Sequence, residues 1–285
     1  MIKSKYICNN GDFVLSDLPV LTTQNRAFRY GDGLFETMHA NGTKVQFLDE
    51  HFIRLTYGLE KLKMNIPDYF TLEYINNLII KLLNKNKLYQ GAKVRLSVFR
   101  CDGGLYTPLS RNISFIIETE ELGHAKYTLN NKGLVIDIYD EIKKSINYFS
   151  DLKSSNALLF VLAGIFKKEN NIDDCIILNQ ENKIVEAVSS NIFIVKNNQL
   201  YTPALTDGCI PGIMRTQIIK TAISLNYTVF DECNINPNDL LSADEVFLTN
   251  AISGIRWVVA YKKRRYFNKT SKIMVNKLNK NVFTS

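Results

Sequence analysis

Between residues 49 and 88 the apolar positions recur with a helical period. Phe52, Leu55, Leu59 and Leu62 share one face, with Pro67 beyond the end, and Leu72, Ile75, Ile79 and Leu82 repeat the pattern, predicting a second helix over 71–88. Shorter apolar runs separated by turn residues predict strands. Asn9-Asn10-Gly11-Asp12 is a hairpin turn ahead of 13–15, Asn41-Gly42 joins strands 34–40 and 45–48, and a turn-rich 101–108 separates 92–100 from 112–118. Farther along, 134–139, 174–178, 184–188, 191–195, 199–202 and 244–251 read as strands. Helices are expected over 153–168, over 211–224 with its apolar period at Ile218, Ile219 and Ala222, and over a basic 272–280. The run 157–166 is too apolar for anything but a buried helix.

Strands come in adjacent groups and do not alternate regularly with helices, which points to an α+β protein of two domains with antiparallel or mixed sheets. The polar, charge-rich stretch 118–132 is the best connection between them, giving a first domain over 1–120, a connection over 121–132 and a second domain over 133–285. A length of 285 residues suits this division.

Composition narrows the classes. With 46% hydrophobic and 22% charged residues the chain reads as an ordinary soluble globular protein. The net charge of +7 is not gathered into one arm. Its local concentrations, at 81–87, at Lys143-Lys144 and at 262–265, are expected on solvated faces, so nucleic-acid binding has weak support and an anionic small substrate suits the charge equally well. Five scattered cysteines without C-x-x-C spacing imply a reduced, cytoplasmic protein. The three histidines form no metal-ligand pattern. Residues 1–12 lack a signal-peptide core and no apolar run is long enough to span a bilayer, so no membrane is expected. Gly31 and Gly33 flank Asp32 without the third glycine of a dinucleotide fingerprint.

Four features carry chemistry. Lys153 precedes thirteen uncharged residues. Desolvation at such a junction makes a lysine a nucleophile toward carbonyls, while the plainer reading is the exposed edge of a core helix. Glu186 interrupts the apolar and small stretch Ile184-Val-Glu-Ala-Val-Ser-Ser-Asn-Ile-Phe193, facing either solvent or a specific cation. Arg54 lies beside an apolar stripe, where it either snorkels to water or holds a phosphate through two donors. The helix opened by Pro211-Gly212 has no acidic residue in its first turn, so its free N–H groups can take an anion. An amine, a carboxylate and a phosphate cup are the parts a pyridoxal phosphate site requires.

Six pieces in order carry a resemblance: Tyr30-Gly-Asp-Gly-Leu-Phe-Glu-Thr37, Glu50-His-Phe-Ile-Arg-Leu55, Leu152-Lys-Ser-Ser-Asn156, Glu186-Ala-Val-Ser-Ser-Asn-Ile-Phe193, Gly212-Ile-Met-Arg215 and Glu245-Val-Phe-Leu-Thr-Asn-Ala251. Over roughly residues 25–255 the chain resembles the class IV, or fold type IV, pyridoxal-phosphate aminotransferase family, which contains branched-chain aminotransferases, D-amino acid aminotransferases and 4-amino-4-deoxychorismate lyases. The resemblance implies a small N-terminal α/β domain, a larger C-terminal barrel-like domain, the cofactor pyridoxal 5'-phosphate between them, and a homodimer. It implies that Lys153 binds the cofactor covalently and shuttles the proton, and that Glu186 pairs with the ring nitrogen. Arg54, the backbone amides of Ile213 and Met214, and the turn at Asn250-Ala251 would hold the phosphate.

Within the family, Ala157 stands where branched-chain enzymes commonly carry tyrosine, and Lys153-Ser-Ser-Asn156 resembles the lyases and D-amino acid enzymes. Thr37 matches a threonine that the lyases use near the leaving group, where its hydroxyl would protonate the departing oxygen; the alternative is a strand residue chosen for its β-branching. His39 stands where many relatives carry an arginine. Arg100 is the candidate carboxylate binder, with Tyr30 and Tyr106 as candidate pocket aromatics. The expected activity is therefore conversion of 4-amino-4-deoxychorismate to 4-aminobenzoate and pyruvate in folate synthesis. The alternatives are transamination of a branched-chain or D-amino acid with 2-oxoglutarate, and a non-catalytic binding protein that keeps the fold.

Overall fold

The computed structural model describes residues 4–283; the outermost residues of the two expected domains, 1–3 and 284–285, lie outside the described residues. The chain divides into two compact units. One comprises Met1–Lys126 with Leu152–Asn156, the other Tyr127–Asp151 with Ala157–Ser285.

In the first unit, β1 (Tyr6–Asn9) and β2 (Asp12–Leu15) form the expected hairpin. Asn10 and Gly11 both take positive φ, as a two-residue hairpin turn with the right-handed strand twist demands. There follow α1 (Arg26–Tyr30), β3 (Gly33–Asn41), β4 (Lys44–Val45), α2 (Leu48–Lys61), α3 (Leu72–Lys85), β5 (Gly91–Arg100) and β6 (Ile113–Glu121). The sheet runs β2-β1-β6-β5-β3-β4, antiparallel throughout. The side chain of Thr71 caps α3 by accepting from the Tyr74 backbone N–H at 3.1 Å. Leu55 and Leu59 of α2 and Ile75, Ile79 and Leu82 of α3 pack against Leu34, Met38, Val94 and Leu96 of the sheet, so the two predicted stripes bury one sheet face.

Residues 152–156 join this unit as an extended segment along the edge of β3. Phe35 N–H donates to the Lys153 carbonyl at 3.0 Å and Ser155 N–H to the Gly33 carbonyl at 2.8 Å, while Leu152 enters the core. The expected helix from residue 153 is corrected accordingly. The Lys153 carbonyl and the Ser155 N–H are committed to β3, and the helix α4 (Leu158–Glu169) begins only after Ala157. Its expected burial is corrected too. Leu158, Val161, Leu162 and Ile165 are 71, 54, 41 and 47% exposed, and Ala163 is the buried residue of the helix.

The second unit is built from β7 (Leu134–Lys144), α4, β8 (Asp174–Asn179), β9 (Ile184–Ala187), β10 (Asn191–Lys196), β11 (Gln199–Pro203), α5 (Ile213–Ser224), β12 (Val229–Cys233), α6 (Pro237–Ser242), β13 (Glu245–Asn250), β14 (Gly254–Tyr261), β15 (Arg264–Arg265) and α7 (Lys269–Val282). The strands run β12-β11-β10-β13-β14-β7-β8-β9, with β15 paired to β14. Pairing is mixed: β11–β12, β14–β7 and β7–β8 are parallel and the rest antiparallel. Ile184, at the start of β9, bridges to Ile235, just past β12, and its N–H donates to the Ile235 carbonyl at 2.7 Å. The two ends of the sheet therefore approach each other, and the sheet curls around a core that includes Ile176, Ile184, Ile192, Val246 and Val258.

Candidate active site

Alternation along β3 sorts its side chains. Leu34, Glu36 and Met38 face the helices; Phe35, Thr37 and His39 face the other way. On that second face the Lys153 ammonium lies 4.2 Å from the centroid of the Phe35 ring. The guanidinium of Arg95, which sits opposite Thr37 on β5, lies 3.8 Å from the same ring. Arg95 also donates to the Ser97 hydroxyl at 3.2 Å. Burial lowers its pKa, with Glu118 on β6 acting in the opposite sense. An aromatic ring thus carries two cations, with the Thr37 hydroxyl one position along the same face. Arg95 was not singled out in the sequence; with Lys93 it is a cation at alternate positions of a sheet strand, which reads as an ordinary solvated face. His39 shares this face, fully buried and stacked on His124 with ring centroids 6.3 Å apart. Burial and the neighbouring His124 lower its pKa to about 4. At neutral pH it is an uncharged ring.

Across the strand, Arg54 makes a two-pronged pair with Glu36: Nε donates to Oε1 at 2.8 Å and Nη2 to Oε2 at 2.6 Å. His51 Nδ1 lies 2.7 Å from Oε2 of the same carboxylate. Burial pushes the Glu36 pKa up, but the Arg54 guanidinium and the His51 hydrogen bond outweigh it and hold the carboxyl at about 2.

Arg100 is also engaged. It donates from Nε and Nη2 to the two oxygens of Asp32, at 2.9 and 3.2 Å, and from Nη2 to the Leu62 carbonyl at 2.8 Å. Arg26 shares Asp32 at 2.8 Å and reaches the Leu105 carbonyl at 2.6 Å, tying down the loop that carries Tyr106. The Tyr106 ring, 91% exposed, lies 5.6 Å from that of Tyr30, over which Arg26 sits at 4.9 Å. A cavity of about 410 Å³ opens beside Arg100, lined by Leu62, Lys63, Thr107, Pro108, Leu109, Ser110 and Arg111; Lys153, Phe35 and Thr37 do not line it.

In the second unit Glu186 is buried on β9. Lys144 donates to its Oε1, and the Ile210 N–H to its Oε2 at 3.2 Å. The expectation that Lys143-Lys144 lies on a solvated face is corrected for Lys144, whose side chain is 10% exposed. The antiparallel register of β10 and β13 sets Asn191 opposite Thr249. Close by, α5 opens at Gly212 with no side-chain cap and no acidic residue in its first turn, where Ile213 and Met214 lie. A Cβ at Gly212 would sit 1.8 Å from the Asn191 side-chain oxygen, so any other residue there would displace the Asn191 side chain. Asn250 accepts from the backbone N–H groups of Ile252 and Ser253 and donates to Ser190; Ala251 accepts from the Tyr127 hydroxyl. The Thr249 hydroxyl is buried without a hydrogen-bond partner.

The donor set fits a phosphorylated cofactor: uncapped helix N–H groups opening at a glycine and an unsatisfied buried hydroxyl gather at one strand end. Thr249, Ser190 and Asn191 were not assigned from the sequence, because a small polar residue at a strand end looks like any turn residue. Among the described residues no group of three or more His, Cys, Asp or Glu could hold a metal ion, and no helix is long and apolar enough to cross a membrane.

Comparison with known proteins shows the fold and the family. The fold is that of fold type IV enzymes: the branched-chain aminotransferase of Thermoproteus uzoniensis, solved with norvaline, superposes with a TM-score of 0.85 over 97% of this chain and 94% of that one, at 23% identity. The model of the amino-transferase class IV family matches residues 33–261, and the chain belongs to that family of pyridoxal-phosphate-dependent enzymes. A Methanocaldococcus jannaschii protein, provisionally named a branched-chain-amino-acid aminotransferase, is 30% identical over 86% of this chain and 84% of its own length. The aminodeoxychorismate lyase of Vibrio harveyi is 25% identical over 81% and 83%.

Proposed function

We propose that the protein is a lyase that converts 4-amino-4-deoxychorismate to 4-aminobenzoate and pyruvate, working in the cytoplasm in the supply of 4-aminobenzoate for folate. The observation that carries this reading is the shared sheet face of Lys153 and Thr37, set beside Phe35, with the Arg95 guanidinium as a fixed cation for an anionic substrate. The bound cofactor supplies an aldehyde for the substrate amine and an electron-withdrawing ring. Lys153 would be the amine that holds it and would take the proton from the amine-bearing carbon of the substrate. The Thr37 hydroxyl gives a proton to the departing enolpyruvate oxygen, directly or through water. Glu186 would accept from the ring nitrogen, while Ile213, Met214, Asn250, Ala251 and Arg54 would hold the phosphate. All five cysteines are free, in keeping with a reducing compartment.

Incubating the holoprotein with 4-amino-4-deoxychorismate should release 4-aminobenzoate and pyruvate in equal amounts. The relationship to a chain bearing a branched-chain aminotransferase name makes transamination the second reading. Glutamate formed from a branched-chain or D-amino acid and 2-oxoglutarate, with no aromatic product, would decide for it. Thr37→Val should slow pyruvate release by about 10²-fold, the lower range for a positioned acid, with cofactor binding unchanged. Equal rates for the two proteins would remove Thr37 from the chemistry.

The outward apolar residues of α4 support a homodimer, since a face this apolar is normally covered. Val161→Glu should move the mass measured by light scattering from dimer to monomer; a wild-type protein that is already monomeric refutes the dimer.

A further inference from the structure

Lys144 closes β7 and is a lysine that solvent barely reaches. Its burial follows from an irregularity in the strand. Tyr139 pairs with Ile177 and Lys144 with Asn179, so β7 advances five residues where β8 advances two. Such a bulge re-aims a side chain, and here it turns Lys144 inward onto Glu186. The ammonium donates to Oε1, and 5.6 Å away lies the centroid of the Phe160 ring. Oε2 accepts from the Ile210 N–H, and Ile210 is itself fixed through its carbonyl, which accepts from the Asn191 side-chain amide at 2.8 Å. A carboxylate has about four lone-pair sites, so these two donors orient Glu186 and still leave it able to accept a third.

We infer that Lys144 is a positioning residue for the cofactor: it fixes the Glu186 carboxylate and balances its buried charge, so that the acceptor for the ring nitrogen is already oriented before the cofactor binds. The inference rests on the proposed pairing of Glu186 with that nitrogen. Because Lys144 acts through Glu186, its contribution vanishes when Glu186 can no longer act as an anion. A residue that only filled space would contribute equally in either background.

The test is a double-mutant cycle on cofactor affinity, titrating the apoprotein forms of wild type, Lys144→Met, Glu186→Gln and the double variant with pyridoxal 5'-phosphate, with circular dichroism to confirm folding. Lys144→Met should weaken binding by about tenfold, a size ordinary for coupled contacting charges, and by less than about twofold when Glu186 is already glutamine. Lys144→Arg should restore affinity to within about threefold, since it keeps the charge and a donor. If the methionine variant does not fold, Lys144→Gln takes its place in the same cycle, with the same pattern expected. An equal loss in both backgrounds, or no loss in either, overturns the inference. If Glu186→Gln itself binds the cofactor as tightly as wild type, the proposed pairing fails. If Glu186→Gln weakens binding and Lys144→Met does not, the pairing stands and the role of Lys144 falls.

Discussion

Lys153→Ala abolishes turnover while leaving the protein folded. The expected loss in kcat is at least about 10²–10⁴-fold, the contribution of a positioned acid–base group alone, and larger once the covalent tether is counted. Stability should hardly change. The segment 152–156 is held to β3 by backbone hydrogen bonds and by Leu152 in the core, none of which uses the Lys153 side chain. The losses include a contact with Phe35, worth about 0.5–1 kcal/mol at a partly exposed site. Product assays at saturating substrate and a thermal melt check both halves. Turnover unaffected by the substitution would make the chain a binding protein and not an enzyme that works through Lys153.

Glu36→Ala gives the largest expected loss of stability. It leaves Arg54 without its two-pronged partner and His51 without its acceptor, in a place where Glu36 is 2% exposed. Removing one member of a buried ion pair costs about 3–5 kcal/mol. The same pair makes stability depend on pH. The Glu36 carboxyl is held at about 2, below its ordinary value of 4.5, so the native state favours the ionised form. Its stabilisation is complete above pH 4.5 and is lost as the pH falls toward 2. The gap corresponds to about 3 kcal/mol by proton linkage, in line with the mutational figure. Denaturant melts of the wild type between pH 6 and 2 should therefore lose stability steeply over the lower part of that range, and melts of Glu36→Ala less so. Parallel curves for the two proteins would contradict the assignment.

Much of the fold was legible where period and turn chemistry agree. The helices α2, α3 and α5 and the strands β3, β5 and β6 lie where the apolar spacing puts them, and the Asn10-Gly11 hairpin follows from backbone conformations that few other residues adopt. The elements that escaped are short or set by tertiary contact. The helix α6 has six residues, held by a capping box between Asn236 and Asp239 with Pro237 in its first turn, a local signal that was present but brief. At Gly254, where β14 begins, φ is +67° and the Tyr127 ring lies 2.7 Å from where a Cβ would be, a packing relation across more than a hundred residues. Apolarity misled at α4, because an apolar run does not by itself place its side chains in the core of its own chain.

The candidate site was legible in its residue types and not in their partners. That Lys153 and Glu186 stand out against apolar neighbours could be seen; that Glu186 meets Lys144 could not, since the bulge in β7 has no local signature. The sequence leaves Arg54 as a phosphate or solvent residue, and its pairing with Glu36 appears only when β3 and α2 are folded together.

The central claim is that Lys153 is the residue that holds the cofactor. Reducing the holoprotein with borohydride, digesting it and mapping the peptides by mass spectrometry tests this directly. The account predicts a pyridoxyl group on Lys153 and on no other lysine, Lys144 included. A label on a different side chain, or none on a protein saturated with pyridoxal 5'-phosphate, contradicts it.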